Sequence, residues 1–285
     1  MQLKRPFLKW AGGKTKLVAA IRAAAPATAA RFVEPFVGSG AAALNLGYAR
    51  NLLADSNRDL IDVYAHLQSE GETFIEACAV LFIPEHNTPE AFARLRAEFN
   101  TTSDRRRRAC LFVYLNRHGF NGLCRYNAKG GFNVPFGRYT RPRLPRAAME
   151  SFHTFLKGCT VRHADFRAVL GEAGAGDFVY CDPPYVPASA TANFTTYAQE
   201  GFGPDDQRDL VECCRAAARR GAWVAISNHD TPGTRDLYRD ANECHPLLVR
   251  RRISCDAANR NHAQELLVVY RPAVGTPSPL VDAAS

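Results

Sequence analysis

Residues 31–43 read Arg-Phe-Val-Glu-Pro-Phe-Val-Gly-Ser-Gly-Ala-Ala-Ala, and this stretch decides the fold class. Its apolar start predicts a buried strand over 31–34, and the small apolar residues that follow predict a helix over 41–49. Gly38 and Gly40 allow a tight turn between the two elements. A strand, a glycine turn and a helix in this order favour an α/β protein built on a mostly parallel sheet.

The glycine turn also indicates a ligand. The first N–H groups of the following helix have no partner within it and attract negative charge. The spacing G-x-G-x-x-A from Gly38 to Ala43 formally fits a dinucleotide fingerprint, and Asp55 ends the next predicted strand, where an acid would hold ribose hydroxyls. These residues predict an adenosine-type cofactor, either NAD or S-adenosylmethionine. A purely structural turn is the alternative.

Farther along the chain, more apolar runs predict strands, and helical patterns separate several of them. The helix over 204–220 has acidic residues in its first turn and arginines in its last, which suits the helix dipole. Near the end of the chain, 247–254 and 265–270 flank a polar loop and predict an antiparallel hairpin at the sheet edge. The remaining predicted strands are 51–55, 160–165, 177–182 and 222–227.

The alternation of strands and helices lapses between residues 60 and 157, which predicts an insertion. Short helices are expected over 92–99 and 105–115, with Ser103 or Asp104 as the cap of the second. A loop-like stretch rich in Gly, Asn, Arg and aromatic residues follows. The expected organisation is a main α/β domain over 1–59 and 158–271, an inserted subdomain over 60–157, and a flexible tail over 272–285.

The chain has 285 residues, of which 36 are Lys or Arg and 28 are Asp or Glu, so its formal net charge at pH 7 is +8. The excess is local: between residues 101 and 146, eleven Lys or Arg residues are opposed only by Asp104. The four arginines at 105–108 are typical of a solvated helix face. Those between 117 and 143 alternate with Asn, Gly and aromatic residues, which favours contact with nucleic acid.

Several classes of protein are excluded by the sequence. No apolar run approaches the ~18 residues that cross a bilayer, and the N-terminus lacks the apolar core of a signal peptide, so we expect a cytoplasmic protein. The nine cysteines are scattered, without a C-x-x-C pair or a histidine cluster, which predicts free thiols and no metal site. Residues 13–15 do not form a phosphate-binding P-loop, because Leu8 stands where that motif needs a glycine.

Asp182-Pro183-Pro184-Tyr185 ends the strand predicted at 177–182, at the strand end where open α/β sheets bind ligands. Two consecutive prolines fix the backbone and remove two N–H donors, which leaves a rigid corner of acceptors made of the Asp182 carboxylate and nearby carbonyls. Such a corner can accept both hydrogens of an exocyclic amine, while Tyr185 stacks on the attached base. A proline-rich turn without a ligand is the alternative.

This corner, combined with the upstream Phe-x-Gly-x-Gly segment, resembles the amino-group DNA methyltransferases, and more closely the Dam-like adenine methyltransferases. The resemblance implies a Rossmann-like S-adenosylmethionine-dependent methyltransferase fold, α/β with a mixed, mostly parallel sheet and an inserted, mainly helical target-recognition subdomain. The further matching segments occur in the family's order and are 9–14, 34–40, 55–61, 116–127, 132–137, 165–166 and 227–230.

The resemblance also implies S-adenosylmethionine as the cofactor and names the residues around it. Trp10 and Lys14 would help to hold it, Asp55 would take the ribose hydroxyls, and Asp165 with Phe166 would hold the adenine ring. The implied cofactor-binding residues are Trp10, Lys14, Glu34, Pro35, Phe36, Gly38, Gly40, Asp55, Asp165, Phe166 and Asp182, and the implied catalytic residues are Asp182, Pro183, Pro184 and Tyr185.

In the Dam-like family the insertion is the target-recognition domain, and members with the stretch at 121–125 usually act at GATC. By resemblance, Arg125 would read a guanine, Phe120 would occupy a wedge position, and residues 193–197 would form a lid near the flipped base. Gly119 and Gly131 depart from the family pattern and leave the sequence preference open. The implied DNA-binding residues are Lys9, Phe120, Asn121, Leu123, Arg125, Asn133, Pro135, Arg138 and Tyr139.

The sequence therefore predicts a monomeric, nucleoid-associated enzyme of a bacterium or phage that methylates adenine N6 in duplex DNA. Methylation of cytosine N4 is the closest alternative, because it uses the same kind of acceptor corner; Asp182 favours adenine by resemblance. A non-catalytic DNA-binding regulator would have no need of the intact corner. A nicotinamide oxidoreductase explains Gly38 and Gly40 but neither the corner nor the basic insertion.

Overall fold

The computed structural model describes residues 3–185, 202–249 and 263–272, which form helices, seven strands and three short 3-10 turns. No helix within these ranges is long and apolar enough to cross a membrane. The helices are α1 (Val18–Ala24), α2 (Ala41–Leu46), α3 (Arg58–Glu70), α4 (Glu72–Ala79), α5 (Pro89–Thr101), α6 (Arg105–His118), α7 (Arg146–Leu156), α8 (Phe166–Glu172), α9 (Pro204–Arg219) and α10 (Pro232–Leu237). The strands are β1 (Arg31–Glu34), β2 (Asn51–Asp55), β3 (Cys159–His163), β4 (Asp177–Cys181), β5 (Trp223–His229), β6 (Glu243–Val249) and β7 (Ala263–Tyr270).

The strands form one mixed, mostly parallel sheet in the order β3-β2-β1-β4-β5-β7-β6. β4 pairs in parallel with β1 on one side and with β5 on the other, whereas β7 is antiparallel to both β5 and β6. All residues of β4 are buried, as expected for a central strand covered on both faces. The predicted α/β class and mixed, mostly parallel sheet are confirmed.

The predicted strands 31–34 and 51–55 have the observed bounds. The predicted start of the hairpin's first strand was wrong: it begins at Glu243, not at residue 247, because pairing with β7 starts at Glu243 opposite Val269. The predicted helix over 41–49 ends early, at Leu46, because Gly47 adopts a left-handed conformation with φ 84°. The predicted polar loop over 256–264 ends too late, because β7 begins at Ala263. Residues 256–262, the predicted lid at 193–197 and the tail from residue 273 lie outside the described residues.

The chain packs into two compact units. The first comprises Met1–Thr15, Val37–Gly47 and Leu53–His163, and the second comprises Lys16–Phe36, Tyr48–Leu52 and Ala164–Ser285. The predicted boundaries of the target-recognition insertion, 60–157, stay a prediction.

The first unit is mainly helical, and three of its helices, α3, α5 and α6, begin at side-chain caps. Thr88 accepts a hydrogen bond from the Ala91 N–H at the start of α5. Asn57 accepts a hydrogen bond from the Leu60 N–H at the start of α3, and Asp104 accepts one from the Arg107 N–H at the start of α6. Asp104 was one of the two caps that the sequence predicted. α6 continues three residues beyond its predicted end, to His118, and brings the chain to the loop-like stretch that follows.

Candidate active site

The acceptor corner lies at the carboxyl edge of the sheet in the second unit. β1 and β4 are parallel neighbours with Val33 opposite Val179, so the chain leaves both strands at the same edge. The strand order also reverses here, because β2 and β3 lie beyond β1 whereas β5 lies beyond β4. Open α/β sheets bind their ligands at such a switch point. Phe36 and Asp182 therefore both follow strands that end at the switch point.

Asp182 is held by a short chain of hydroxyl groups. Ser227 on β5 donates a hydrogen bond from Oγ to Asp182 Oδ1 at 3.0 Å. The phenol oxygen of Tyr180 on β4 lies 2.9 Å from the same Ser227 Oγ. Tyr180 and Ser227 are fully buried, whereas Asp182 is half-buried. The family resemblance includes Ser227 without giving it a role, and no sequence signal separates Tyr180 from an ordinary core tyrosine.

Tyr185 is anchored from the neighbouring strands. Its phenol donates a hydrogen bond to Glu265 Oε2 at 3.0 Å, and its ring packs edge-on against His229 with the centroids 4.8 Å apart. Burial, reinforced by the charge of Asp182, raises the pKa of Tyr185 well above its ordinary value. The phenol therefore remains a neutral donor near pH 7. Glu265 carried no sequence signal of this role.

The protein itself engages one carbonyl of the predicted acceptor corner. Gln207 on α9 is buried and donates from Nε2 to the carbonyl of Pro184 at 2.8 Å. Gln207 in turn accepts a hydrogen bond from Asn228 Nδ2 at 3.1 Å. The two prolines and this brace fix the backbone around Asp182, which makes the carboxylate the most adjustable acceptor of the corner.

A cluster of three phenylalanines lies after β1 in the second unit. The rings of Phe36 and Phe166 stack with centroids 5.3 Å apart, and Phe202 packs against both at 5.7 and 5.6 Å. Phe166 is buried, whereas Phe36 is half-buried and keeps part of its ring accessible. Asp165 is exposed and caps α8 by accepting from the Arg167 N–H at 2.8 Å. Phe202 is half-buried as well, so the accessible part of the cluster is made by Phe36 and Phe202.

The glycine turn of the first unit is fixed on both sides of Gly38. The Gly38 N–H donates to Asp55 Oδ2 at 3.0 Å, and the Gly38 carbonyl accepts a hydrogen bond from the Tyr64 phenol at 2.5 Å. Gly38 has φ +46°, and a Cβ there would lie 2.8 Å from Nε1 of Trp10. The sequence identified Gly38, Asp55 and Trp10, but it missed Tyr64, which lies on α3.

Asp55 accepts hydrogen bonds from the backbone on either side of the turn. Its Oδ1 accepts from the Asn57 N–H at 2.9 Å, while Oδ2 accepts from Gly38. The dense protein around the carboxylate raises its pKa to about 6, although backbone N–H donors oppose that shift. Asp55 therefore orders the loop in addition to any contact with a ribose.

Two further predicted cofactor residues belong to the same unit. Gly40 has φ +69°, and a Cβ there would lie 2.9 Å from Cζ of the buried Phe152. Lys14 is buried and donates from Nζ to the Gly12 carbonyl at 2.7 Å. Gly40 is constrained by packing and Lys14 by its hydrogen bond to the turn, and the contacts of both with a cofactor stay a prediction.

The first unit brings together predicted DNA-binding residues that are distant in sequence. Arg125 donates from Nε to Asn133 Oδ1 at 2.7 Å and from its terminal nitrogen to the Asn133 carbonyl at 3.3 Å. The Phe120 N–H donates to the Pro135 carbonyl at 2.8 Å. The segments around residues 120 and 135 are therefore hydrogen-bonded to each other. Phe120 is 47% exposed, which suits a side chain that inserts into a partner.

Lys9 joins this group from the N-terminus. Its Nζ lies 3.9 Å from the centroid of the Tyr139 ring and donates to the Arg117 carbonyl at 3.4 Å. Its backbone is held by Asn116, which accepts from the Lys9 N–H at 2.9 Å and donates to the Lys9 carbonyl at 2.7 Å. Burial, with the nearby charge of Arg117, lowers the pKa of Lys9. The other predicted DNA contacts in this part of the chain are Asn121, Leu123 and Arg138.

The arginines at 105–108 lie on a helix, as predicted, but they do not offer free charge to a partner. Each pairs with an acid: Arg105 with Asp62, Arg106 with Glu70, Arg107 with Glu98 and Arg108 with Asp59. Arg146 pairs with Glu72 and Glu76. The acids lie on α3, α4 and α5, so the sequence count of +10 for residues 101–146 overstates the free charge. Across the described part of the chain, the cations of this stretch without an ion pair are Arg117, Arg125, Lys129, Arg138, Arg141 and Arg143.

Comparison with known proteins identifies the family. The model of the D12 class N6 adenine-specific DNA methyltransferase family matches residues 10–251. A protein of Vibrio cholerae serotype O1 named DNA adenine methylase is 45% identical over 273 residues, covering 95% of this chain and 98% of its own length. The DNA adenine methylases of Escherichia coli K12 and Serratia marcescens are 43% and 44% identical, covering 98% and 95% of this chain and 99% and 100% of their own lengths. The chain belongs to the D12 class of N6 adenine-specific DNA methyltransferases, which confirms the predicted enzyme class.

Proposed function

We propose that the enzyme transfers a methyl group from S-adenosylmethionine to the N6 amine of adenine in duplex DNA, and that it acts at GATC. The observation that carries the proposal is the rigid Asp182–Tyr185 corner at the switch point of the sheet. Family membership supports adenine as the base. The target sequence and the methyl donor rest on the resemblance of the motifs.

The described residues fit an adenosine cofactor. The turn at Gly38 leaves no room for a side chain beside Trp10, and it is held by the Asp55 carboxylate, whose pKa is raised by burial. Phe36 offers a ring supported by Phe166. S-adenosylmethionine supplies a methyl group on a sulfonium, which is electrophilic without assistance from a metal. The residues proposed to bind it are Trp10, Lys14, Glu34 and Pro35, together with Phe36, Gly38, Asp55 and Phe166.

Asp182 and Tyr185 are proposed to hold the adenine that leaves the stack. The carboxylate accepts a hydrogen bond from the amine and directs its lone pair away from the ring. As the amine becomes cationic, the same carboxylate stabilises the developing charge. Full deprotonation of the amine by Asp182 is not required, because positioning and electrostatic fit carry most of the acceleration. Tyr185 stacks on the base, at an angle fixed by Glu265 and His229.

Recognition is proposed to rest on the first unit. Arg125 has a guanidinium fork partly held by Asn133, so it is pre-organised to pair with the acceptors of a guanine. Phe120 is exposed and is proposed to fill the space left in the duplex. The other residues proposed to contact DNA are Lys9, Asn121, Leu123, Pro135, Arg138 and Tyr139.

The test of the activity is methyl transfer from labelled S-adenosylmethionine to a duplex that contains one GATC site. We expect N6-methyladenine on digestion to nucleosides, and no transfer to a duplex with the site scrambled. N4-methylcytosine as the product would establish the alternative reaction. Equal transfer to both duplexes would refute GATC as the target.

Asp182→Ala should abolish turnover and leave DNA affinity unchanged, because the carboxylate contacts the reacting amine and not the duplex as a whole. Full activity of this variant would remove Asp182 from the mechanism.

Arg125→Ala should weaken discrimination against a changed guanine by about 1–3 kcal/mol, because the bidentate contact with that base is lost. Methyl transfer to duplexes with single-base changes in the site measures the discrimination. Unchanged discrimination would remove Arg125 from sequence reading.

A further inference from the structure

Asp182 of the acceptor corner shares one face of the sheet with two other side chains, those of Tyr180 and Ser227. Tyr180 is opposite Ala225 in the parallel pairing of β4 and β5, and Cys181 is opposite Ile226. Asp182 follows the last residue of β4, and continuing this register by one position puts it opposite Ser227. Because side chains alternate along a strand, Tyr180, Asp182 and Ser227 all point to the same side. Their contact is therefore dictated by strand register.

Counting protons gives the hydrogen bonds between these groups a direction. Ser227 has one hydroxyl proton, and it donates this proton to Asp182 Oδ1. The Tyr180 phenol, 2.9 Å from the same oxygen, must then donate to Ser227 Oγ. Burial raises the pKa of Tyr180 well above its ordinary value, so the phenol keeps its proton near neutral pH. The donors run from Tyr180 to Ser227 to Asp182.

We propose that Ser227 is a positioning residue for the methyl transfer, and that Tyr180 fixes the direction in which the Ser227 hydroxyl points. The inference rests on the proposed function, because it acts through Asp182. One oxygen of the carboxylate is pinned from within the sheet, so rotation about the side-chain bonds of Asp182 is restricted. The carboxylate is then set toward the amine before the base arrives.

The fixed carboxylate matters because the backbone of the corner offers no adjustment. The two prolines and the hydrogen bond from Gln207 to the Pro184 carbonyl hold the backbone rigid. A carboxylate free to rotate would lose its alignment with the amine in most orientations. Misplacement of a catalytic group by about 1 Å can lower the rate by about 100-fold.

The test compares three single variants with the wild-type chain on a GATC duplex. Ser227→Ala removes the donor to Asp182, and we expect kcat to fall by about 10- to 100-fold, with the KM for DNA and for S-adenosylmethionine changed by less than about twofold. Tyr180→Phe leaves the serine in place without its partner, and kcat should fall by a smaller factor, about 3- to 10-fold. The split between kcat and KM separates loss of positioning from loss of binding.

Tyr270→Phe is the matched control. Tyr270 on β7 is buried, and its phenol donates a hydrogen bond to Asp240 Oδ1 at 3.2 Å. Tyr270 lies opposite Val224, three residues before Ser227 on β5. Removing this phenol loses a donor of the same kind without touching Asp182 or the hydrogen bond that holds the Pro184 carbonyl. Its kcat should stay at the wild-type value.

The outcomes separate the inference from the function on which it rests. An active wild-type chain with an equally active Ser227→Ala variant would overturn the inference alone. An equal loss of kcat in the Tyr270→Phe control would also overturn it, because general destabilisation would then explain the data. Wild-type kcat in Tyr180→Phe would remove the role of Tyr180, and a wild-type chain that transfers no methyl group would overturn both the function and the inference.

Discussion

Asp55 illustrates how a single residue serves both the fold and a proposed ligand. Its two oxygens accept the backbone N–H groups of Gly38 and Asn57, so the carboxylate orders the loop on which the glycine turn is built. Burial raises its pKa to about 6. A group with this pKa changes charge just below neutral pH, which makes its contribution to binding measurable.

The pKa of Asp55 predicts that cofactor binding weakens in mild acid. Above pH 6 the carboxylate is ionised and able to accept the proposed hydrogen bonds from ribose hydroxyls; below pH 6 it gains a proton and loses acceptor capacity. Between about pH 7 and about pH 5 the ionised fraction falls by about tenfold, so affinity for S-adenosylhomocysteine should fall by up to about tenfold. Isothermal titration calorimetry across this range provides the measurement.

Asp55→Asn is the control for this titration, because the amide does not ionise. The variant should bind more weakly than the wild-type chain and show little change in affinity across the same pH range. A wild-type affinity independent of pH would contradict a ribose contact by the Asp55 carboxylate.

Gly38 and Gly47 provide a matched pair of left-handed glycines. Gly38→Ala should destabilise the fold by about 1–3 kcal/mol and also weaken cofactor binding, because its Cβ would meet Trp10 in addition to the backbone strain. Gly47 has φ +84°, and a Cβ added there would meet no atom within 4 Å. Gly47→Ala should therefore cost only the backbone strain, about 1 kcal/mol, and leave cofactor affinity unchanged. Urea unfolding and calorimetry measure the two effects, and equal affinity losses would contradict a specific role of the turn.

At the scale of elements, α6 joins two functions in one helix. Its first turn carries four arginines that pair with acids of α3 and α5. Its last residues lead into the segment that holds Phe120 and Arg125. Arg108 pairs with Asp59, which also accepts a hydrogen bond from Tyr126 at 2.6 Å. The start of the helix therefore anchors the proposed recognition surface by ion pairing.

Replacing Arg108 by Ala should affect the stability of the fold, whereas replacing Arg138 by Ala should affect DNA binding. Arg108→Ala leaves the mostly buried Asp59 without its cation and should lower the free energy of unfolding by about 1–3 kcal/mol, with the salt dependence of DNA binding unchanged. Arg138→Ala should leave stability unchanged within about 0.5 kcal/mol and reduce the salt slope by about 1. Urea unfolding and fluorescence anisotropy of a labelled duplex measure both. A loss of stability in Arg138→Ala with a reduced salt slope in Arg108→Ala would contradict these roles, in which Arg108 on α6 stabilises the fold and Arg138 in the loop contacts DNA.

Across the whole molecule, the distribution of charge decides how strongly DNA binding depends on salt. The sequence count assigns eleven cations to residues 101–146, but five of them are ion-paired within the first unit. Six cations of this stretch remain for a polyanion, and Lys9 joins them. The available charge is thus concentrated in the segment at 117–143.

This count predicts the salt dependence of duplex binding. If Lys9 and the six unpaired cations of 117–143 supply the phosphate contacts, about seven in all, the slope of log Kobs against log salt should be about −6. Anisotropy titrations of a duplex of about 20 base pairs between about 50 and about 300 mM KCl would measure it. A slope near about −10 would require phosphate contacts from cations outside this set and would contradict the concentration of the DNA-binding charge at residue 9 and residues 117–143.

The sequence by itself determined the α/β class, the bounds of β1 and β2, the family and the acceptor corner at Asp182. These features are encoded locally: apolar runs, glycines and prolines constrain the backbone wherever they occur, and a motif carries its residue types in order. The sequence also named Arg125 and Asn133 as separate contacts, but not that they would hydrogen-bond to each other.

Only the tertiary structure decided which side chains support the named ones. Ser227, Tyr180 and Glu265 reach the acceptor corner, and Tyr64 reaches the glycine turn, because strand register and helix packing bring distant segments together. No local pattern encodes a pairing between strands. Acids on other helices likewise decide whether the charge of the arginines at 105–108 is paired within the protein. Net charge is a sum over residues, whereas free charge depends on which opposite charges the fold places within hydrogen-bonding distance.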